Sequence, residues 1–173
     1  MTRIAINGFG RIGRSFFRAA YGDPAFDIVG VNDLADTKTL AYLLKYDSVY
    51  GRYGKNVESG EKSLRVDGRE IAVYAENDPA ALPWSKLGAD IVIESTGFFA
   101  SGEKSRAHLN AGAKRVVITA PASGEEATTA LIGVNDDRFA SALPITANAS
   151  CTTNSVAPVM AIVHERFGIQ KAG

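Results

Sequence analysis

The 173-residue chain has one cysteine, two histidines and one tryptophan. A single cysteine excludes any internal disulfide, and with it the small secreted domains held by cross-links; a reducing compartment is the natural setting. Neither sign of charge is in excess, since Lys plus Arg and Asp plus Glu number 19 each. No global field therefore favours nucleic acid or an anionic membrane surface. No run approaches the roughly 18 apolar residues that a membrane span needs. The opening segment has neither a long apolar stretch nor a small-residue cleavage site, so it does not read as a secretory signal. The expectation is a soluble cytoplasmic protein with no metal, no membrane and no nucleic-acid partner.

What is present is an ordinary globular composition, 46% hydrophobic and 22% charged, with glycine and proline spread throughout. This length suggests one domain with part of a second, enough to bury on the order of two-thirds of the unfolded surface. Short β-branched runs alternate with amphipathic segments. Strands are expected at Arg3–Asn7, Ile28–Asn32, Glu70–Tyr74, Ile91–Glu94, Arg115–Thr119 and Leu143–Ala147. Several are apolar along most of their length, as strands covered on both faces must be. Helical spacing marks Ile12–Tyr21, Thr37–Lys45, Glu103–Ala111 and Val156–Phe167. Strand, helix, strand at this rhythm predicts a doubly wound α/β, Rossmann-type, mostly parallel sheet. Residues 49–74 break the rhythm, and Val66-Asp67-Gly68-Arg69 reads as a hairpin turn within an antiparallel excursion. The expected boundary lies at Asn148–Ser150, dividing a dinucleotide-binding domain, residues 1–149, from the first helix of a truncated α+β domain, residues 150–173.

Gly8-Phe9-Gly10-Arg11-Ile12-Gly13 matches G-x-G-x-x-G. Such a match means little alone, but here it follows the first strand and opens the first helix. In that setting the glycines permit a tight turn and close approach to a pyrophosphate, and the helix N-terminus offers free N–H groups and positive dipole. Asp33 lies twenty residues past Gly13, just after the second strand, where an acid can accept hydrogen bonds from an adenosine ribose. Its charge would repel a 2′-phosphate, favouring NAD over NADP. Glu94-Ser95-Thr96-Gly97 and Thr119-Ala120-Pro121 follow two later strands and fit the same crevice, although each reads as well as a turn or a helix cap.

Cys151 sits in Asn148-Ala149-Ser150-Cys151-Thr152-Thr153-Asn154. A free cysteine is usually a small buried hydrophobe. Its neighbours here are hydroxyls and amides, and it falls at or beside a helix start, where dipole and free N–H groups favour a nucleophilic thiolate. The same N–H groups and the hydroxyls of Ser150 and Thr152 can hold a phosphate. From the residues alone both readings stand. A thiol attacking a carbonyl also needs a base. His164, thirteen residues further along the same helix, is about 20 Å away at roughly 1.5 Å per residue. His108 reads as a surface or flanking position on another helix.

Ile6-Asn7-Gly8-Phe9-Gly10-Arg11-Ile12-Gly13-Arg14, Val31-Asn32-Asp33-Leu34, Leu44-Lys45-Tyr46-Asp47-Ser48, Glu94-Ser95-Thr96-Gly97 and Ala149-Ser150-Cys151-Thr152-Thr153-Asn154 together resemble phosphorylating glyceraldehyde-3-phosphate dehydrogenases. The match runs the length of the chain, in order, and Ser-Cys-Thr-Thr-Asn is its most specific segment. The resemblance implies an oxidoreductase of glycolysis, a homotetramer at full length, with Cys151 as the nucleophile. It implies that Gly8, Gly10, Arg11, Ile12, Gly13, Asp33, Asn77, Thr96, Gly97 and Thr119 hold NAD. Ser150 and Thr152 would flank the substrate and the attacking inorganic phosphate, and glyceraldehyde 3-phosphate would become 1,3-bisphosphoglycerate through a thioester.

The chain departs from the family pattern in three ways. Asn77 stands where many members carry an arginine near the adenine. Ser155 replaces a second cysteine often found four positions after the nucleophile. The family also runs to about twice this length, and its general-base histidine, its phosphate-binding arginine and threonine, and its last helix lie past the position where this sequence stops. The 173 residues alone are therefore expected to bind NAD and to turn over little. The alternatives are an NAD-binding module without activity and an erythrose-4-phosphate dehydrogenase, which shares the scaffold and the thiol. The last helix is expected to expose apolar surface.

Overall fold

In the computed structural model, which describes residues 1–171, the first strand, β1 (Thr2–Asn7), buries Ile4, Ala5 and Ile6. Alternation along the strand sends Ile4 and Ile6 into one apolar cluster and Ala5 into another. A strand apolar on both faces belongs inside a sheet covered on both sides. The chain then continues through α1 (Arg11–Ala20), β2 (Phe26–Asn32), α2 (Thr37–Lys45), the small ribbon β3 (Tyr46–Asp47) and β4 (Gly51–Arg52), β5 (Val57–Ser59), β6 (Ser63–Val66) and β7 (Arg69–Tyr74). A 3₁₀ turn at Pro79–Ala81 leads to α3 (Trp84–Leu87), β8 (Ile91–Glu94), α4 (Gly102–Asn110), β9 (Arg115–Ile118), β10 (Thr128–Thr129), α5 (Asp137–Ala140), β11 (Ile145–Ala147) and α6 (Cys151–Phe167).

The main sheet runs β10-β11-β9-β8-β1-β2-β7-β6-β5. Six of its eight neighbouring pairs are parallel and two, β5·β6 and β6·β7, are antiparallel. The doubly wound, mostly parallel sheet is thus the one the sequence predicts, antiparallel excursion included. Asp67 (φ 47) and Gly68 (φ 82) take left-handed conformations between Val66 and Arg69, the pair that a two-residue hairpin turn needs. From β1 the chain moves to β2 on one side, and from β8 to β9 on the other. The order therefore reverses at the β1/β8 junction, and right-handed crossovers place their helices on opposite faces. On one face Phe9, Phe17, Leu40 and Leu44 pack against Ile4, Ile6 and Val31. On the other lie Leu82, Trp84, Ala89, Val92 and Ala113.

Helix starts follow capping chemistry. The Asp36 side chain accepts from the Thr39 N–H, that of Ser101 from Lys104, and that of Ser150 from Thr153. The last helix begins at Cys151, where the sequence places a helix start, five residues before the apolar periodicity that begins at Val156. None of its side chains is buried, and Val156, Val159, Ile162 and Phe167 are exposed, the uncovered apolar surface expected of this helix.

Candidate functional site

Parallel strands end their carbonyls on one edge, and in open α/β sheets ligands sit there, at the order reversal. A cleft of about 560 Å³ occupies that place, a volume typical of small-molecule sites. The glycine turn contributes Gly8 and Gly10, the end of β2 contributes Asn32, Asp33 and Leu34, and the loop after β8 contributes Ser95, Thr96, Phe98 and Phe99. Asn7, Glu76 and Asn77 complete the lining, which among the described residues carries two acids and no lysine or arginine.

The glycines have separate duties. Gly8 has φ +88, and a Cβ there would meet the Thr96 nitrogen at 2.7 Å. A Cβ at Gly13 would stand 2.1 Å from the Gly8 carbonyl oxygen, so α1 seats directly on the turn only because Gly13 has no side chain. Gly10 faces open space, with nothing within 4 Å of where a Cβ would stand. Its backbone is left bare to the cleft at the start of α1, which is the cradle a pyrophosphate requires. The carboxylate of Asp33 accepts from the Phe9 N–H at 2.7 Å and the Ala35 N–H at 3.0 Å. It thus braces the turn while keeping lone pairs for a further donor.

Asn32, Asn7 and Glu94, the last residues of β2, β1 and β8, stand in one register row. The Asn32 side chain is held by both the N–H and the carbonyl of Glu76 and donates to Asn7 Oδ1 at 2.7 Å. Asn7 Nδ2 in turn donates to Glu94 Oε2 at 2.6 Å. Glu94 Oε1 accepts from both the N–H and the hydroxyl of Thr96. His108 Nε2 lies 2.9 Å from Glu94 Oε2, and Trp84 Nε1–H donates to His108 Nδ1 at 3.0 Å. The sequence places His108 at the surface, whereas its exposure is 0%. The face that α4 turns to the sheet carries Gly102, Ser105 and His108, so polarity there marks a buried hydrogen-bonded position rather than a solvated one.

Cys151 is exposed at the first position of α6, so it is not core packing. It follows β11, three strands from β1 on the same sheet edge, about 14 Å away at ~4.8 Å per strand. The turn before it is tightly specified. Ala149 takes φ +60, unusual for a side-chain-bearing residue, and Asn154 Nδ2 ties down the carbonyls of Asn148 and Ser150 at 2.6 and 2.9 Å. The Ser150 hydroxyl accepts from the Thr153 N–H at 3.0 Å and lies 2.8 Å from the Thr152 hydroxyl.

Of the residues singled out from sequence, Gly8, Gly10, Asp33, Asn77 and Thr96 line the cleft. Gly13 lies beneath it, and Gly97 (φ +78) follows Thr96. Thr119 bonds back to the Glu94 carbonyl at 3.1 Å, at the neighbouring strand end. Ile12 is exposed. The Arg11 side chain turns from the cleft toward Ser48 Oγ (3.2 Å) and Asp47 (3.7 Å). The N–H groups of Tyr50 and Val49 hold the Asp47 carboxyl below its ordinary range, with Arg11 adding to them. Burial lowers the neighbouring Arg14 guanidinium, opposed by Asp47. Asn7, Asn32, Glu76, Phe98 and Phe99 were missed; for the two asparagines the available signal was a polar residue closing an otherwise apolar strand.

A glycine turn, a bracing acid and a cleft at the order reversal define a dinucleotide-binding domain of the doubly wound class. Residues 2–102 match the family described as glyceraldehyde 3-phosphate dehydrogenase, NAD binding domain. The chain belongs to that family, and its cofactor is NAD. Over 171 residues it is 56% identical to the glyceraldehyde-3-phosphate dehydrogenase of Thermotoga maritima, covering 98% of this chain and 51% of that protein. It is 53% identical to the enzyme of that name from Borreliella burgdorferi over 98% of this chain and 51% of the relative, and 52% identical to that of Geobacillus stearothermophilus over 97% and 50%. The chain thus spans about half the length of these curated relatives. Among the described residues no helix is long and apolar enough to cross a membrane.

Proposed function

We propose that residues 1–149 form the NAD-binding domain and that residue 150 opens the catalytic domain of a phosphorylating glyceraldehyde-3-phosphate dehydrogenase. The observation that carries this is an exposed thiol at a helix start, on the same sheet edge as the dinucleotide cleft. The bare Gly10 backbone and the α1 N-terminus receive the pyrophosphate. Asp33 accepts from the adenosine ribose, and its charge, with no basic residue lining the cleft, disfavours a 2′-phosphate. Asn77 stands near the adenine, and Thr96, Gly97 and Thr119 line the path toward the nicotinamide. Arg11 and Ile12, at the α1 N-terminus, hold NAD from the start of that helix, and Gly13 lets the helix seat on the turn. Bound NAD supplies an acceptor for the hydride.

The Cys151 sulfur adds to the aldehyde carbon of glyceraldehyde 3-phosphate and, after oxidation, holds the acyl group as a thioester. Inorganic phosphate attacks that carbonyl, forming 1,3-bisphosphoglycerate and returning the sulfur as thiolate. Ser150 and Thr152 flank the substrate and the phosphate, and the whole protein works in the cytoplasm as a homotetramer. A base is needed, and neither histidine serves: His108 is committed to Glu94 and Trp84, and His164, far along α6, accepts from the Ile169 N–H. The 173-residue chain therefore binds NAD with negligible turnover. The test is calorimetric titration with NAD and NADP, together with an assay for NADH formation from the aldehyde and phosphate. Binding of NAD over NADP without turnover is expected. Absence of NAD binding, or turnover by this chain at rates ordinary for the relatives, would refute the reading.

A further inference from the structure

We infer that His108 is a positioning residue of the dinucleotide cleft, acting through Glu94 on Thr96 and Asn7. The inference rests on the cleft being the NAD site. Glu94 is 2% exposed and His108 0%, and every partner of the carboxylate has its role fixed. Asn7 must present its amide nitrogen to Glu94, because its oxygen accepts from Asn32, whose own orientation is set by the Glu76 backbone. The Thr96 N–H can only donate, and the Thr96 hydroxyl accepts from the Phe98 N–H at 3.1 Å and so gives its proton to Glu94. The indole N–H of Trp84 also can only donate, so His108 Nδ1 must be the acceptor. The remaining ring nitrogen, Nε2, therefore carries the proton and gives it to Glu94; Asn7 Nδ2, 3.4 Å from Nε2, stands beside it as a second donor to the same carboxylate oxygen. A neutral Nε2–H imidazole and a carboxylate receiving four donors satisfy every group.

No arginine or lysine pairs with this carboxylate among the described residues; its one ring partner is His108. A buried carboxylate held by neutral donors is sensitive to each of them, because removing one leaves its lone pair unpaired in a low-dielectric setting. The His108 donor thus fixes the Glu94 rotamer. Glu94 in turn sets the backbone and hydroxyl of Thr96 and the amide of Asn7, both on the cleft wall.

The test uses the full 173-residue chain, folded and ¹⁵N-labelled. His108 should show a protonated Nε2 and a bare Nδ1, and addition of NAD should shift both the His108 Nε2–H and the Trp84 indole N–H. In calorimetry, His108→Leu should weaken NAD binding about tenfold, the loss expected for one hydrogen bond to a charged group. His108→Gln, which offers an amide N–H in the place of Nε2, should recover most of that loss. A protonated Nδ1, unshifted resonances, wild-type affinity in a folded His108→Leu chain, or a glutamine variant no better than leucine would each overturn the inference. If His108→Leu does not fold, the wild-type spectra decide alone. Failure of the wild-type chain to bind NAD would overturn the cleft assignment and this inference together, whereas unchanged binding in the leucine variant overturns the positioning role alone.

Discussion

Gly13→Ala tests how α1 is seated on the turn. The added methyl would stand 2.1 Å from the Gly8 carbonyl oxygen and 2.9 Å from Ser95 Oγ. Ordinary contact is about 3.5 Å, so α1 would have to retreat by more than about 1 Å. In a free helix the change from glycine to alanine gains about 1 kcal/mol. Overpacking a core contact costs about 1–3 kcal/mol. The obstacle here is backbone, which no rotamer change relieves, so the cost falls at or above the upper end and the net loss is about 2 kcal/mol. For a domain of this size that lowers the melting temperature by about 4–8 °C. Urea unfolding followed by circular dichroism measures the loss, and calorimetry should show weakened NAD binding with it. Gly10→Ala is the matched control. Its methyl meets nothing within 4 Å and its φ of −69° is ordinary, so stability should stay within about 0.5 kcal/mol of wild type. The methyl projects toward the cleft, and NAD affinity should fall about tenfold. A Gly13→Ala chain as stable as wild type would show that the contact between helix and turn does not constrain the fold as argued.

Other consequences are open to direct measurement. Asp33→Asn keeps the shape of the brace but removes its charge, so the preference for NAD over NADP should shrink about tenfold, read from the two dissociation constants; an unchanged ratio would place the discrimination elsewhere. Cys151 is the only cysteine and is exposed, so a thiol reagent should label one equivalent in the native chain, and Cys151→Ser should leave melting and NAD binding unaltered. Slow labelling that accelerates only in denaturant would contradict that. Asp36, Asp67 and Asp90 are held below the ordinary 3.8, the first two chiefly by backbone N–H groups of Thr39 and Asn56, the third by Lys114. Their folded-state values are depressed, so their stabilisation is present above the unfolded value and is lost as pH falls below it. The urea midpoint should be level from neutral pH to about pH 5 and drop from about pH 4 downward; a midpoint that rises on acidification would reverse the sign of the argument.

The sheet was legible because its signal is local. Ile91–Glu94 and Thr37–Lys45 end where apolar periodicity ends, and the Asp67-Gly68 turn announces itself by the two residue types that tolerate left-handed backbone. The glycine turn and Asp33 could be paired from spacing alone. What escaped needs the third dimension. Asn7 and Asn32 look like strand ends until the register sets them in a row with Glu94. His108 looks solvated because α4 buries its polar face, and only the sheet packed against it supplies the partners. In the last helix the apolar periodicity begins only at Val156, after the start at Cys151 that the hydroxyl-rich segment already suggests. The cap at Ser150 lies earlier, among hydroxyls whose capping role depends on backbone geometry.

The helix carrying the sulfur is tied most firmly at its start. The turn before it is bound to the sheet by the Asn148 N–H on the Ile118 carbonyl, and Asn154 in its first turn holds the carbonyls of Asn148 and Ser150, while Phe167 at the far end is 84% exposed. The reactive atom therefore takes its coordinates from the strands, and any surface that covers the apolar flank of the same helix must meet it where those strands hold the helix start. Placement of the nucleophile and burial of the helix are therefore linked in this chain, because one rigid element carries both the sulfur and the uncovered apolar flank.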